Sequence, residues 1–303
     1  MKRRQFLKAS TRAGLIAGTT TLLGPWASLL ANPSPLSYDL VAIKNSTPDK
    51  MFDAGMKALG GMQSFVKKGQ TVVIKPNVAW DVGPDLAANT NPLLVQRIIQ
   101  HCLEAGARKV YVFDHTCNKW RSSYENSGIK AAVKHAGGIM APGNSEKYFH
   151  PVRINGQSLK NTKEHELILE SDVFINVPVL KNHGSTSITV SMKNLMGAVW
   201  DRGHWHKNDL HQCIADFASY RKPDLNVVDA YNVMMQNGPR GVSTQDVVNM
   251  KAQLISTDMV TADAAAAKLY GIPPDDVSYI RLAAQAGAGR KDLKNLNIKR
   301  IKL

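Results

Sequence analysis

The sequence predicts an α/β fold, with one large domain built on a mainly parallel sheet and helices on both faces. Two observations carry that prediction. The candidate strands are unbroken apolar runs, such as Thr71-Val72-Val73-Ile74 and Val110-Tyr111-Val112-Phe113, not the alternation of a half-exposed sheet. Between many of them lie helical patterns of about ten or more residues, long enough to carry the chain from one parallel strand to the next. With 303 residues and 44% hydrophobic content, the chain can bury a substantial core and falls outside disordered compositions.

The elements follow in order. Leu40–Ile43 is a short apolar strand, and Pro48–Leu59 a helix closed by Gly60 and Gly61. After the strand at 71–74, Pro92–Ala105 has helical periodicity and stops at Gly106. Strand 110–113 ends in Asp114-His115, and Gly128–His135 is a helix stopped by Gly137-Gly138. Strand Val173–Val177 runs on into Pro178-Val179-Leu180-Lys181. A helix near Leu210–Tyr220, strands at Leu225–Val228 and Ala252–Ile255, and an alanine-rich helix from Met259 to Tyr270 complete the pattern. Ser256-Thr257-Asp258 reads as the cap of that last helix. The Gly238-Pro239-Arg240-Gly241 stretch reads as a turn.

Residues 1–31 carry Lys2, Arg3, Arg4, Lys8 and Arg12 and no acid, followed by a mild apolar stretch diluted by glycines and Thr19–Thr21. Arg3-Arg4-Gln5-Phe6-Leu7-Lys8 resembles a twin-arginine export signal, with Leu29 and Ala31 flanking a small-residue cleavage site. The expected division is therefore a signal peptide over 1–31, a linker over 32–38 and the α/β domain over 39–303. The expected location is periplasmic or extracytoplasmic, the expected partner the twin-arginine machinery, and no membrane span is expected after removal of the signal. That route exports folded proteins, many of them with a cofactor inserted beforehand. Without the five leader cations, the formal charge of +14 falls to +9. This favours anionic partners, but the basic residues are scattered without an arginine-rich run, so nucleic acid is not expected. The three cysteines, with no close pair, exclude a disulfide scaffold and an all-cysteine iron–sulfur or zinc site. There is no glycine-rich dinucleotide fingerprint and no phosphate-binding Walker loop.

Ligands of open parallel sheets bind beyond the carboxyl ends of the strands. Lys75-Pro76-Asn77, Asp114-His115, Lys181-Asn182-His183 and Asp229 all follow apolar strand runs, and together they predict one rim carrying a site. The matching stretches Val73-Ile74-Lys75-Pro76-Asn77, Pro178-Val179-Leu180-Lys181-Asn182-His183, Met192-Lys193-Asn194-Leu195-Met196-Gly197, Trp205-His206 through Leu210-His211 and Val227-Val228-Asp229-Ala230 resemble the domain-of-unknown-function family 362, over roughly Leu40 to Gly271. The resemblance implies a fold and a site but no reaction. Some members append a ferredoxin-like cysteine cluster, which this chain, with no Cys-x-x-Cys, lacks.

Two chemistries compete for these residues. Lys75, Lys181 and Lys193 would clamp a carboxylate or phosphate, and a lysine beside other cations has a lowered pKa that suits a base or nucleophile. Asn77, Asn194 and Arg240 join this anion-binding set, as does a hydroxyl-rich helix start at Ser185-Thr186-Ser187, expected ahead of a helix from Ile188. The alternative is a divalent transition metal. Four of nine histidines fall between Leu180 and Asp216, and imidazoles with a carboxylate are ligands for zinc, iron or nickel. His183, His206 and His211, which lie in the family-matching stretches, with Asp216, are the candidate metal ligands. Lys75, Lys181, His183 and Asp114 are the candidate catalytic groups, although Asp114 reads equally well as a helix N-cap. The expected function is an exported enzyme acting on an anionic small molecule. The alternative is a non-catalytic anion- or metal-capturing assembly protein for a periplasmic redox system.

Overall fold

A computed structural model describes residues 38–303, so the signal-peptide reading and all but the last linker residue lie outside the described residues. β1 (Leu40–Lys44) is followed by α1 (Pro48–Ala58), β2 (Thr71–Pro76), α2 (Pro92–Glu104) and β3 (Lys109–Val112). Next come α3 (Trp120–Asn126), α4 (Ile129–His135), β4 (Ile139–Met140), and the hairpin β5 (Phe149–Arg153) and β6 (Asn161–His165). α5 (Glu166–Glu170) leads to β7 (Val173–Val177), β8 (Val179–His183) and β9 (Ser187–Thr189). α6 (Ser191–Asn194), α7 (Arg202–Lys207) and α8 (Leu210–Tyr220) precede the long strands β10 (Leu225–Met234) and β11 (Val247–Ser256). α9 (Met259–Tyr270), α10 (Ser278–Gln285) and β12 (Ile298–Lys302) follow.

The main sheet has the order β12-β1-β11-β10-β7-β2-β3-β4, with β8 and β9 attached beside β10. Its pairings are mainly parallel. β11 runs antiparallel to both β1 and β10, and β9 runs antiparallel to β8. The expected α/β class with a covered, mainly parallel sheet is therefore what the chain adopts. Neighbouring residues on each central strand point to opposite faces, which explains why the strands read as solid apolar runs. Val72, Ile74, Val173 and Ile175 pack with α1, α2 and α4 on one face. Val73 and Phe174 pack with α8, α9 and α10 on the other. Among the described residues no helix is long and apolar enough to cross a membrane.

Element boundaries departed from the sequence reading where proline or tertiary pairing intervened. Pro178 has no N–H to donate, so the predicted continuous run through Lys181 breaks there. β8 restarts at Val179 and pairs with β10 and β9 instead. The helix expected from Ile188 is also corrected. Ser187–Thr189 is strand β9, and the helix starts only at Ser191. The hydroxyls of Ser185, Thr186 and Ser187 thus sit at a strand-to-strand turn, and the predicted helix-start anion site does not exist.

The chain passes from β2 to β3 through α2 on one face, then returns to β7 on the other side of β2 by way of α5 on the opposite face. That reversal opens a crevice at the carboxyl ends of β2 and β7. The short helix α6 lies over it. Both carboxylate oxygens of Asp263, from α9, hold its first turn by accepting from Ser191 N at 2.8 Å and Met192 N at 3.0 Å. Burial pushes this carboxyl up to about 7. Replacing it should strand two buried backbone donors. Asp263→Ala is expected to lower unfolding free energy by about 2–4 kcal/mol in urea denaturation, and Asp263→Asn, which keeps one acceptor, by less than half of that.

Candidate functional site

The crevice contains a cavity of about 500 Å³. Lys75 and Asn77 reach it from the end of β2, Asp114 and Cys117 from the loop after β3, and Lys181 and His183 from β8. Lys193 and Asn194 come from α6, Gly197 from the turn after it, and Arg202 and His206 from α7. Each of these elements ends or turns at the same rim. Of the candidate residues Lys75, Asp114, Lys181, His183, His206 and His211, all but His211 line this cavity, as does Lys193.

At the floor, Lys75 Nζ lies 2.7 Å from Asp114 Oδ1, with both side chains almost fully buried. The other Asp114 oxygen accepts from Val78 N at 2.7 Å, so this residue is a pairing partner and not a helix cap. Lys75 Nζ also donates to Pro76 O at 2.9 Å and to Asn194 Oδ1 at 3.2 Å. Asn77 bridges to the second lysine: its Nδ2 donates to Asn194 Oδ1 at 3.0 Å, and its Oδ1 accepts from Lys181 Nζ at 3.3 Å. Asn194 Nδ2 donates in turn to Asn176 Oδ1 at 2.8 Å, and Asn176 Nδ2 to Asn226 Oδ1 at 3.0 Å. A line of amides thus anchors the two lysines to the centre of the sheet. Amides suit this position because each both donates and accepts without adding charge.

Four cations line the cavity against a single carboxylate, Asp114, which Lys75 occupies. Arg202 donates both Nη1 and Nη2, at 2.6 Å, to the carbonyls of His115 and Thr116, so its charge meets no acid. Lys181 Nζ meets only the carbonyls of Asn77's side chain and Ala88. Lys193 is only 9% exposed, and its Nζ has neither a hydrogen bond nor an ion pair among the described residues. Burial is the main cause that brings the Lys181 amine down to about 7 and the Lys193 amine to about 8. Burial also pulls Lys75 down, against the attraction of Asp114. His183 falls to about 3, first through burial and then through Lys193 and Lys181.

Several predicted site residues serve elsewhere. Asp216 accepts from Ser158 N at 2.8 Å, Leu159 N at 2.9 Å and Gln212 Nε2 at 2.8 Å, which ties α8 to the β5–β6 hairpin and leaves it outside the cavity. Asp229 accepts from Asn91 N and Tyr231 N, at the start of α2. Arg240 is exposed and does not line the cavity, although its neighbour Pro239 does. His115 turns away from Asp114, with Nδ1 at 2.9 Å from Val199 O and its ring stacked on Trp200. His204 and His206 lie on helix α7 and diverge. His206 lines the main cavity, and His204 lines a second one beside Trp200.

The metal set His183, His206, His211 and Asp216 is not assembled. Among the described residues no group of three or more His, Cys, Asp and Glu side chains is placed to hold a metal ion. His183 adds a chemical objection. A metal-bound imidazole donates its other ring N–H to a neighbour, whereas His183 Nδ1 accepts from Ser185 N at 3.1 Å, leaving the proton on Nε2. His211 lies outside the cavity lining, 6.3 Å from the Tyr279 ring.

The sequence reading missed Cys117, Arg202 and Gly197 as site residues. Arg202 and Cys117 carry no local signal, because tertiary folding alone brings them to this rim. Gly197 lies in a family-matching stretch, and its constraint is space. A Cβ there would lie 1.9 Å from Asp114 Oδ1 and 2.8 Å from Lys75 Nζ. Gly197→Ala should break this buried pair and lower stability by about 3–5 kcal/mol in chemical denaturation. A second expectation concerns pH. Lys181 and Lys193 bind protons less readily when folded, at about 7 and 8, than the ordinary 10.5 of the unfolded chain. Between these values the unfolded state holds more protons, so their desolvation cost is full below pH 7 and relieved as pH rises towards 10. In phosphate-free buffer, Lys193→Met should be more stable than the unsubstituted protein at pH 7, and the urea midpoints of the two should converge towards pH 10.

A thylakoid-associated protein of Synechocystis sp. is 28% identical to this chain, over 77% of it and 73% of the relative. The lactate racemase apoprotein of Thermoanaerobacterium thermosaccharolyticum superposes with a TM-score of 0.48 at 12% identity, over 76% of this chain and 56% of its own. A Thermotoga maritima protein superposes with a TM-score of 0.46 at 11% identity, over 78% and 59%. The chain thus spans less than two thirds of either solved structure. The family described as a domain of unknown function (DUF362) matches residues 72–268, which include every one of the cavity's lysines, and the chain belongs to that family.

Proposed function

We propose that this protein binds a small anionic molecule, a carboxylate or a phosphate, in the cavity at the carboxyl ends of β2 and β8, as the substrate of an acid–base reaction. The observation that carries the reading is Lys193: a nine-tenths buried cation, facing a cavity, with no partner of its own among the described residues. Isolated buried charge is costly, and an anion seated between Lys193 and Arg202 would relieve that cost. Lys181, with an amine near pH 7 in proton affinity, is the group suited to take or return a proton at neutral pH. The Lys75–Asp114 pair and the amide line hold the floor rigid. Neutral His183 offers an N–H from one side, and exposed His206 stands at the mouth. The twin-arginine-type pattern at Arg3-Arg4 supports export of the folded protein, which cell fractionation with and without an Arg3→Lys/Arg4→Lys change tests.

Titration calorimetry with inorganic phosphate and with small mono- and dicarboxylates should give saturable 1:1 binding to the full chain. Lys193→Met is expected to weaken it by about tenfold or more, the loss of one charged hydrogen bond in a desolvated site. Binding should weaken as pH rises through about 8, where Lys193 loses its proton. A protein that binds none of these anions would refute the reading. Tight binding with no proton exchange or turnover of the bound molecule would reduce it to capture.

A further inference from the structure

We infer that Cys117 is a nucleophile of this cavity, attacking an electrophilic carbon on the anionic molecule that Lys193 and Arg202 hold. The inference rests on the anion-binding reading above and extends it to the reacting class: a small anion bearing a carbon with a leaving group.

Three observations support it. Cys117 lines the same cavity as Lys75, Lys181, Lys193 and Arg202, and it is the exposed cysteine of the three. Its backbone is fixed, since Cys117 N donates to Ala79 O at 2.8 Å, just beyond β2. The loop that carries it is strapped from the other side by the two Arg202 contacts to His115 and Thr116. The second observation is independent of the sulfur. Lys193 is buried, lines the cavity and has no hydrogen bond or ion pair among the described residues, so an anion seated there would relieve its charge. Third, the Cys117 sulfur lies within electrostatic reach of both the Lys181 and the Lys193 amine. Reactive cysteines sit in electropositive, partly exposed surroundings of this kind.

The step balances without a further reactant. The sulfur supplies the electron pair of the new S–C bond. The bond from that carbon to its leaving group breaks, and the group departs with its own pair. The thiol proton passes to solvent, to which this residue is open. Cys102 and Cys213 provide an internal contrast, because both are free and buried. Burial pushes the Cys213 thiol up to about 11 and Cys102 higher still, so neither competes for reagent.

The test is alkylation of the full native chain with iodoacetate and with iodoacetamide, read at each cysteine by peptide mass spectrometry. The two reagents share a leaving group and differ in charge. Cys117 should be carboxymethylated at least about tenfold faster than it is carbamidomethylated, the scale on which a cationic cleft enriches an anion. Inorganic phosphate should suppress the fast reaction. Lys193→Met should abolish the preference for the anion, and Lys193→Arg should retain it. If Lys193→Met fails to fold, the phosphate competition and Lys193→Arg give the same reading. Equal rates with both reagents, insensitive to phosphate, would overturn the inference. If calorimetry still shows phosphate bound in that case, the anion-binding reading stands and only the role of the sulfur falls. If phosphate neither binds nor protects, both fall.

Discussion

The organisation of this protein turns on one imbalance: four cations gathered around a desolvated crevice that contains a single carboxylate. Asp114 neutralises Lys75, and the pair is buried deeply enough that removing either member would strand a charge in low dielectric. Among the described residues nothing comparable neutralises Lys181, Arg202 or Lys193. A fold retains such an arrangement only if the rest of the structure enforces it. Here the enforcement is visible in the amide line from Asn77 through Asn194 and Asn176 to Asn226, in the cap that Asp263 places on α6, and in the missing side chain at Gly197.

The chemistry follows from the same imbalance. Desolvation first, and the neighbouring cations after it, weaken the hold of Lys181 and Lys193 on their protons, which moves two amines from the alkaline range to the neutral one. One cavity then gathers cations, an amine that titrates near neutrality and a thiol. The histidines contribute less than their density in the sequence suggests. One is tied by its own backbone turn, one stands at the mouth, and one lies outside the cavity.

Much of this was legible in order along the chain. The strand runs are apolar on both faces because both faces are covered, so the parallel, two-sided sheet was readable from those runs and the helical spacing between them. That the strand ends Lys75, Asp114 and Lys181 share one rim was readable because the parallel topology forces carboxyl ends to one side. The β8–β9 turn was misread as a helix start, since Ser, Thr and Ile at that spacing suit either a cap or a hairpin, and the pairing with β10 decided between them. Asp216 was misread as a ligand because a carboxylate one turn after a histidine looks the same whether its oxygens face a cavity or three N–H donors.

What the sequence determined by itself is therefore the periodicity-borne part: the fold class, the rim, and the lysines that follow buried strands, all set by local pattern and chain direction. Only the tertiary structure decided which polar groups meet. It brought Cys117 and Arg202, from a loop and a short helix without distinctive pattern, to the same wall. It dispersed the histidine cluster over different surfaces, and it left Lys193 buried without a partner. Contacts between residues distant along the chain depend on packing and exact placement, which no single stretch of sequence encodes.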